Sequence, residues 1–219
     1  MKTAANQAIL AEFLGTAFLV AAVVGSGIMG ERLANGNAAV ALLANSIATG
    51  AMLVVLIVTF GPLSGAHFNP LVTLVMAYEN GPPRREVFQY LGSQGAGALV
   101  GVAGANVMFG LAPFSFSQHI RSGGAQAFSE FIATFGLLTV ILVCGKVRQT
   151  SLPFVVACYI TAAYWFTAST SFANPAVTLA RALTDTFSGI RPLDVPVFIL
   201  AQAVGGALAA YVFRSKGAI

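Results

Sequence analysis

The sequence predicts an all-α membrane protein, with six transmembrane helices and two re-entrant half-helices laid out as an inverted repeat. Three observations predict it. Of 219 residues, 57% are hydrophobic and 8% charged, whereas an ordinary soluble domain carries about 25% charged residues. Six apolar stretches each come close to the roughly 20 residues that a hydrocarbon core of about 30 Å requires. A set of short polar signals also occurs twice along the chain in the same order.

The apolar stretches lie near 8–30, 38–60, 87–112, 125–145, 151–170 and 195–213. They leave little chain for an aqueous domain. The first could be taken for a signal peptide, but Glu12 interrupts it and no small-residue cleavage site with a soluble domain behind it follows, so it is expected to stay. Cys144 and Cys158 fall within the fourth and fifth stretches, where small buried side chains are expected rather than a disulfide. The net charge of +4 is spread over short loops and ends, which does not suggest nucleic acid. Lys2, Arg84, Arg85, Lys146, Arg148, Arg214 and Lys216 sort to one side, and Arg32, Arg121, Arg181 and Arg191 to the other. Seven against four places both termini in the cytoplasm.

Ala11-Glu12-Phe13-Leu14 is answered 118 residues later by Ser129-Glu130-Phe131-Ile132. Phe68-Asn69-Pro70-Leu71-Val72-Thr73-Leu74 is answered by Ala173-Asn174-Pro175-Ala176-Val177-Thr178-Leu179, and Gln94-Gly95-Ala96-Gly97 by Gln202-Ala203-Val204-Gly205. Each half therefore reads as helix, helix, Asn-Pro segment, helix, with the first repeat over 1–124 and the second over 125–219. Three spans is an odd number, so the second half enters the membrane from the opposite face.

Asn followed by Pro starts a helix, because Asn caps free backbone amides and Pro suits the first turn. From Pro70 to Tyr78 a helix would be about 14 Å long, roughly half the hydrocarbon thickness. Two such rods entering from opposite faces would meet at the centre. The Gly-, Ser- and Thr-rich backbone before them, Gly61 to Phe68 and Ala168 to Ala173, is expected to be non-helical, which is tolerated at that depth only against protein or a watery cavity. Each helix start carries about half a positive charge. At about 5 Å and an effective dielectric near 20, each repels a unit cation by roughly 1.7 kcal/mol. A neutral solute escapes that penalty.

Ser64-Gly65-Ala66-His67-Phe68-Asn69-Pro70 and Asn174-Pro175-Ala176, with Glu12, Glu130, Gln94 and Gln202, resemble the aquaporin and aquaglyceroporin superfamily over nearly the whole chain. The resemblance implies a passive channel for small uncharged solutes, a homotetramer with one pore per subunit, and the side-chain amides of Asn69 and Asn174 donating to solute oxygens at the pore centre. It also implies that Glu12 and Glu130 accept bonds from the backbone of the re-entrant loops, with Gln94 and Gln202 as similar braces. Leu71 departs from the usual Ala, which puts the close packing of the half-helix tips in question.

Members of the superfamily narrow again at a filter of four residues. Counted without gaps from Asn69 and Asn174, that filter is Thr49, Ala162, Ser171 and Val177. None is large or charged. Val177 stands where an Arg is usual, so the filter is expected to be wide and to accept water, glycerol, urea and uncharged metalloid hydroxides such as arsenous and antimonous acid, with methylated forms left open. Arg181, one turn beyond Val177, either replaces part of the missing charge or serves as a structural residue bonded to loop carbonyls. His67 is either a pore contact or a packing residue on the cytoplasmic approach. The alternative function is an ion-coupled secondary transporter using Glu12 and Glu130, since intramembrane acids also serve as relays. Metal-ligand spacing, a catalytic Ser or Cys arrangement and a phosphate-binding glycine loop are missing from the pattern, so an enzyme, a metal and a cofactor are not expected. The location expected is the plasma (inner) membrane, with the lipid bilayer and small neutral solutes as partners.

Overall fold

The computed structural model describes residues 2–79 and 81–213. Arg214 and Lys216, two of the charges sorted above, lie outside the described residues. The helices are α1 (Lys2–Leu33), α2 (Ala38–Ser64), α3 (Pro70–Tyr78), α4 (Arg84–Met108), α5 (Gly124–Val147), α6 (Leu152–Phe166), α7 (Pro175–Arg181) and α8 (Val195–Phe213), with two short 3₁₀ turns before α6 and α8. Four segments are long and apolar enough to cross a membrane by length and composition: Ala4–Leu33, Ala38–Ser64, Gly124–Val147 and Pro192–Phe213.

The other two long helices differ from the expected spans for identifiable reasons. Helix α4 has the length but carries Arg, Gln, Ser and five Gly within its 25 residues, which lowers its apolarity. Helix α6 has only 15 residues, because the chain leaves it after Phe166 and turns back into the bundle. The segment from 61 to 64, expected to be irregular, is the last turn of α2 and includes Pro62; Gly65 then ends the helix in the left-handed conformation, with φ of 84°. The irregular stretch is thus Gly65–Phe68, shorter than expected.

Packing is organised by pairs. α1 lies along α4 and α2, α5 lies along α8 and α6, and α2 meets α6 between the halves. Two of these contacts depend on glycine. A Cβ at Gly97 would collide with the Phe13 carbonyl oxygen, and one at Gly205 with the Phe131 carbonyl oxygen. These are matching positions in the two halves, and removing the side chain lets the backbones touch, as in membrane helix pairs generally. Val20, Val24, Val102 and Leu138 fill the interior, while Phe88, Phe154, Leu200 and Tyr211 point outward. An apolar exterior of this kind suits hydrocarbon.

The ends of α3, α5 and α8 share one face, where Lys146 at the end of α5 donates to the Phe213 carbonyl and lies 3.8 Å from Glu79. At the other face Arg32, at the end of α1, donates to the carbonyl of Phe109 after α4.

Candidate functional site: the channel between the half-helices

Asn69 and Asn174 cap α3 and α7. The Asn69 side-chain oxygen accepts the Leu71 amide, and that of Asn174 accepts the amides of Ala176 and Val177. Each side-chain amide then donates across to the opposite loop: Asn69 Nδ2 to the Ala173 carbonyl at 2.7 Å, and Asn174 Nδ2 to the Phe68 carbonyl at 2.8 Å. The half-helices therefore meet head to head through a reciprocal pair of bonds. Leu71 does not hold them apart. Its Cδ1 lies toward Gly206 on α8, so the bulk added relative to Ala is taken up by a glycine and not by the opposite tip.

The loops reach these positions by unusual backbone. Ala66, Phe68, Thr170, Ser171 and Ala173 all have φ between 47° and 63°, a conformation that costs a non-glycine residue of order 1 kcal/mol or more. The buried acids offset that cost. Glu12 accepts the His67 and Phe68 amides at 2.9 and 2.7 Å, the Ser64 hydroxyl at 2.7 Å and Gln94 Nε2 at 2.7 Å. Glu130 accepts the Phe172 and Ala173 amides at 2.9 and 3.0 Å and Gln202 Nε2 at 2.6 Å. Each Gln also donates to a half-helix threonine, Gln94 to Thr73 and Gln202 to Thr178. All four side chains are fully buried.

A cavity of about 420 Å³ runs past both asparagines, from Glu79 and Lys146 at one end to Val177 and Arg181 at the other. Its wall includes His67, Thr49 and Ser171 but none of the four bracing residues. His67 Nδ1 lies 3.1 Å from the Thr73 hydroxyl, and its ring is edge-on to Tyr90. The Ser171 hydroxyl is buried with no hydrogen-bond partner among the described residues.

Ala162 does not belong to this wall. It sits on the exposed outer side of α6, and the lumen position near Thr49 is occupied by Tyr164, whose hydroxyl is 3.2 Å from Thr49 Oγ1. A count back from Asn174 finds the filter residue only if the loop between α6 and α7 has the usual length. The loop here takes the seven residues from 167 to 173, and two residues on a helix are about 200° of rotation, so residue 162 falls on the face opposite Tyr164. The spacing of Val156, Ile160 and Tyr164, four residues apart each time, was the signal that marks the inward stripe.

Arg181 is 2% exposed and lies on the cavity wall. Its Cζ is 3.3 Å from the centroid of Phe172, and its Nε donates to the Ser188 carbonyl. Arg121 approaches the same ring at 5.2 Å, but its nitrogens are used on the carbonyls of Gly189, Ser169 and Phe187 while its amide donates to Asp194. Burial pushes the Arg121 guanidinium down to about 10, so it remains charged at neutral pH. His119 beside it is held below its usual value by burial and by the two arginines.

A major intrinsic protein model matches residues 1–153. The chain belongs to the major intrinsic protein family. The aquaglyceroporin AqpS of Rhizobium meliloti is 54% identical over 205 residues, which cover 94% of this chain and 88% of that one. Nodulin-26 of Glycine max is 35% identical over 141 residues, 64% of this chain and 50% of its own length. The crystal structure of the aquaglyceroporin from Plasmodium falciparum superposes with a TM-score of 0.73 over 97% of this chain and 96% of that one, at 22% identity, a likeness of fold. This major intrinsic protein is thus a multi-pass membrane protein with the aquaporin fold, a passive channel for small solutes and not an enzyme.

Proposed function

We propose that the channel conducts glycerol, urea and uncharged metalloid hydroxides such as arsenous and antimonous acid, together with water, through a filter formed by Thr49, Tyr164, Ser171 and Val177. Val177 carries this reading. It follows Asn174-Pro175-Ala176 directly and faces the cavity with a small apolar side chain, where an arginine would both narrow the passage and grip a polyol. Ser171 adds a small side chain to the same wall, and its buried hydroxyl has no partner among the described residues. Tyr164 makes the aperture less open than four small residues would, yet its hydroxyl is turned to Thr49, which leaves the ring as an apolar wall.

At the centre, the Asn69 and Asn174 amides are held by the half-helix starts and the facing loops. A solute oxygen passing there meets N–H donors and the positive ends of two helix dipoles, a field that opposes cations. Glu12 and Glu130 serve as anchors for the loops. Both are held by loop and glutamine donors and stand off the cavity wall, so neither of these two acids faces the passage as a coupled transporter would need. We place the channel in the plasma membrane as a homotetramer of two inverted repeats, 1–124 and 125–219, with both termini cytoplasmic; the excess of basic residues on the terminal side supports that orientation.

Purified protein in vesicles, given a panel of neutral solutes, tests the proposal. Swelling with glycerol, urea and arsenous acid is expected. Val177→Arg is expected to reduce all three by about tenfold, the scale of roughly 1.4 kcal/mol. Water flux without passage of any of these solutes would refute the wide filter.

A further inference from the structure

Arg181 is fully buried in the bundle, makes no ion pair among the described residues, and uses one of its nitrogens, Nε, on the Ser188 carbonyl. Its two terminal nitrogens have no hydrogen-bond partner among the described residues, and the residue lies on the cavity wall. A cation in the membrane interior is costly unless it is paired or faces a watery cavity. Two features make the position tenable: the face of Phe172, at 3.3 Å from Cζ, and the cavity that the residue lines. Arg121 stands on the other approach to the same ring, yet its donors are committed to loop carbonyls and it is not part of the cavity wall. Of the two guanidinium groups, only that of Arg181 has donors available to the passage.

We propose that Arg181 is the cationic element of this channel's selectivity filter, displaced one helical turn along α7 from Val177, where it turns away cations and donates hydrogen bonds to solute oxygens. The displacement separates two tasks. The apolar aperture at Val177 sets the size limit, and the charge comes from a residue rooted one turn further along α7, about 6 Å by the rise of four helical residues, with its guanidinium laid against Phe172. A wide passage can in this way still reject cations. The inference rests on the neutral-solute reading of the same passage.

Urea and the guanidinium ion form a matched test pair, close in size and planar, one neutral and one charged. In vesicles holding the unaltered channel, urea is expected to pass and guanidinium to be excluded. Arg181→Gln keeps an amide able to reach the Ser188 carbonyl but removes the charge, and is expected to lower the urea-to-guanidinium permeability ratio by roughly tenfold or more. Arg181→Lys is expected to keep the ratio high. A ratio unchanged in Arg181→Gln would overturn the assignment. Failure of the unaltered channel to pass urea would count instead against the neutral-solute reading. If Arg181→Gln does not reconstitute, Ser171→Cys with Arg181 intact supplies the second measurement. A negatively charged methanethiosulfonate is expected to react there faster than a positively charged one of similar size, and equal rates would overturn the proposal.

Discussion

Tyr164 and Ala162 stand two residues apart on α6 and on opposite sides of it, one against Thr49 in the lumen and the other on the exposed outer face. Their substitutions should separate accordingly. Tyr164→Ala is expected to raise the flux of neutral solutes larger than glycerol several-fold in vesicle swelling, while Ala162→Leu is expected to leave every solute as it was. The opposite outcome would put the filter back on the other face of α6. The asparagines, acids and glutamines were legible in the sequence because each sits in a local pattern that occurs twice, and the repeated context identifies it without a structure. Tyr164 was not legible by counting, since its place depends on where α6 stops and on the helical phase there. Arg181 was legible as a residue on the Val177 face, but its stacking on Phe172 and its bond to Ser188 depend on the fold of the loop between α7 and α8.

Among elements, the half-helices were the most predictable, because an Asn-Pro start fixes where each begins and the second one repeats the first. The ends of the long helices were less so. Pro62 lies in the last turn of α2 and does not break it, since the helix ends three residues later at Gly65, whose left-handed conformation releases the chain into the loop. The glycines of α4 and α8 do not all pack alike. Gly205 lies against the Phe131 carbonyl, whereas Gly104 has open space where a Cβ would be. Gly205→Ala is expected to destabilise the protein by about 1–3 kcal/mol through overpacking, seen as an earlier thermal transition in detergent. Gly104→Ala should be neutral or slightly stabilising, as alanine favours helix. Equal effects would mean that the α5–α8 contact is looser than described.

At the scale of the molecule, the equivalent networks of Glu12 with Gln94 and Glu130 with Gln202 hold two strained loops against each other across the bundle. The result is a passage whose centre is built from hydrogen-bonded loop backbone and two asparagine amides, with no carboxylate on the wall between His67 and Arg181 among the described residues. Such a site has nothing to load and release. It should pass solute in proportion to the gradient, where a carrier saturates. Initial rates of glycerol entry into vesicles containing the purified protein, measured over a wide range of outside concentrations with and without a proton gradient, test this most directly. A rate that rises linearly and ignores the proton gradient is predicted; a rate that saturates and collapses when the gradient is removed would contradict it.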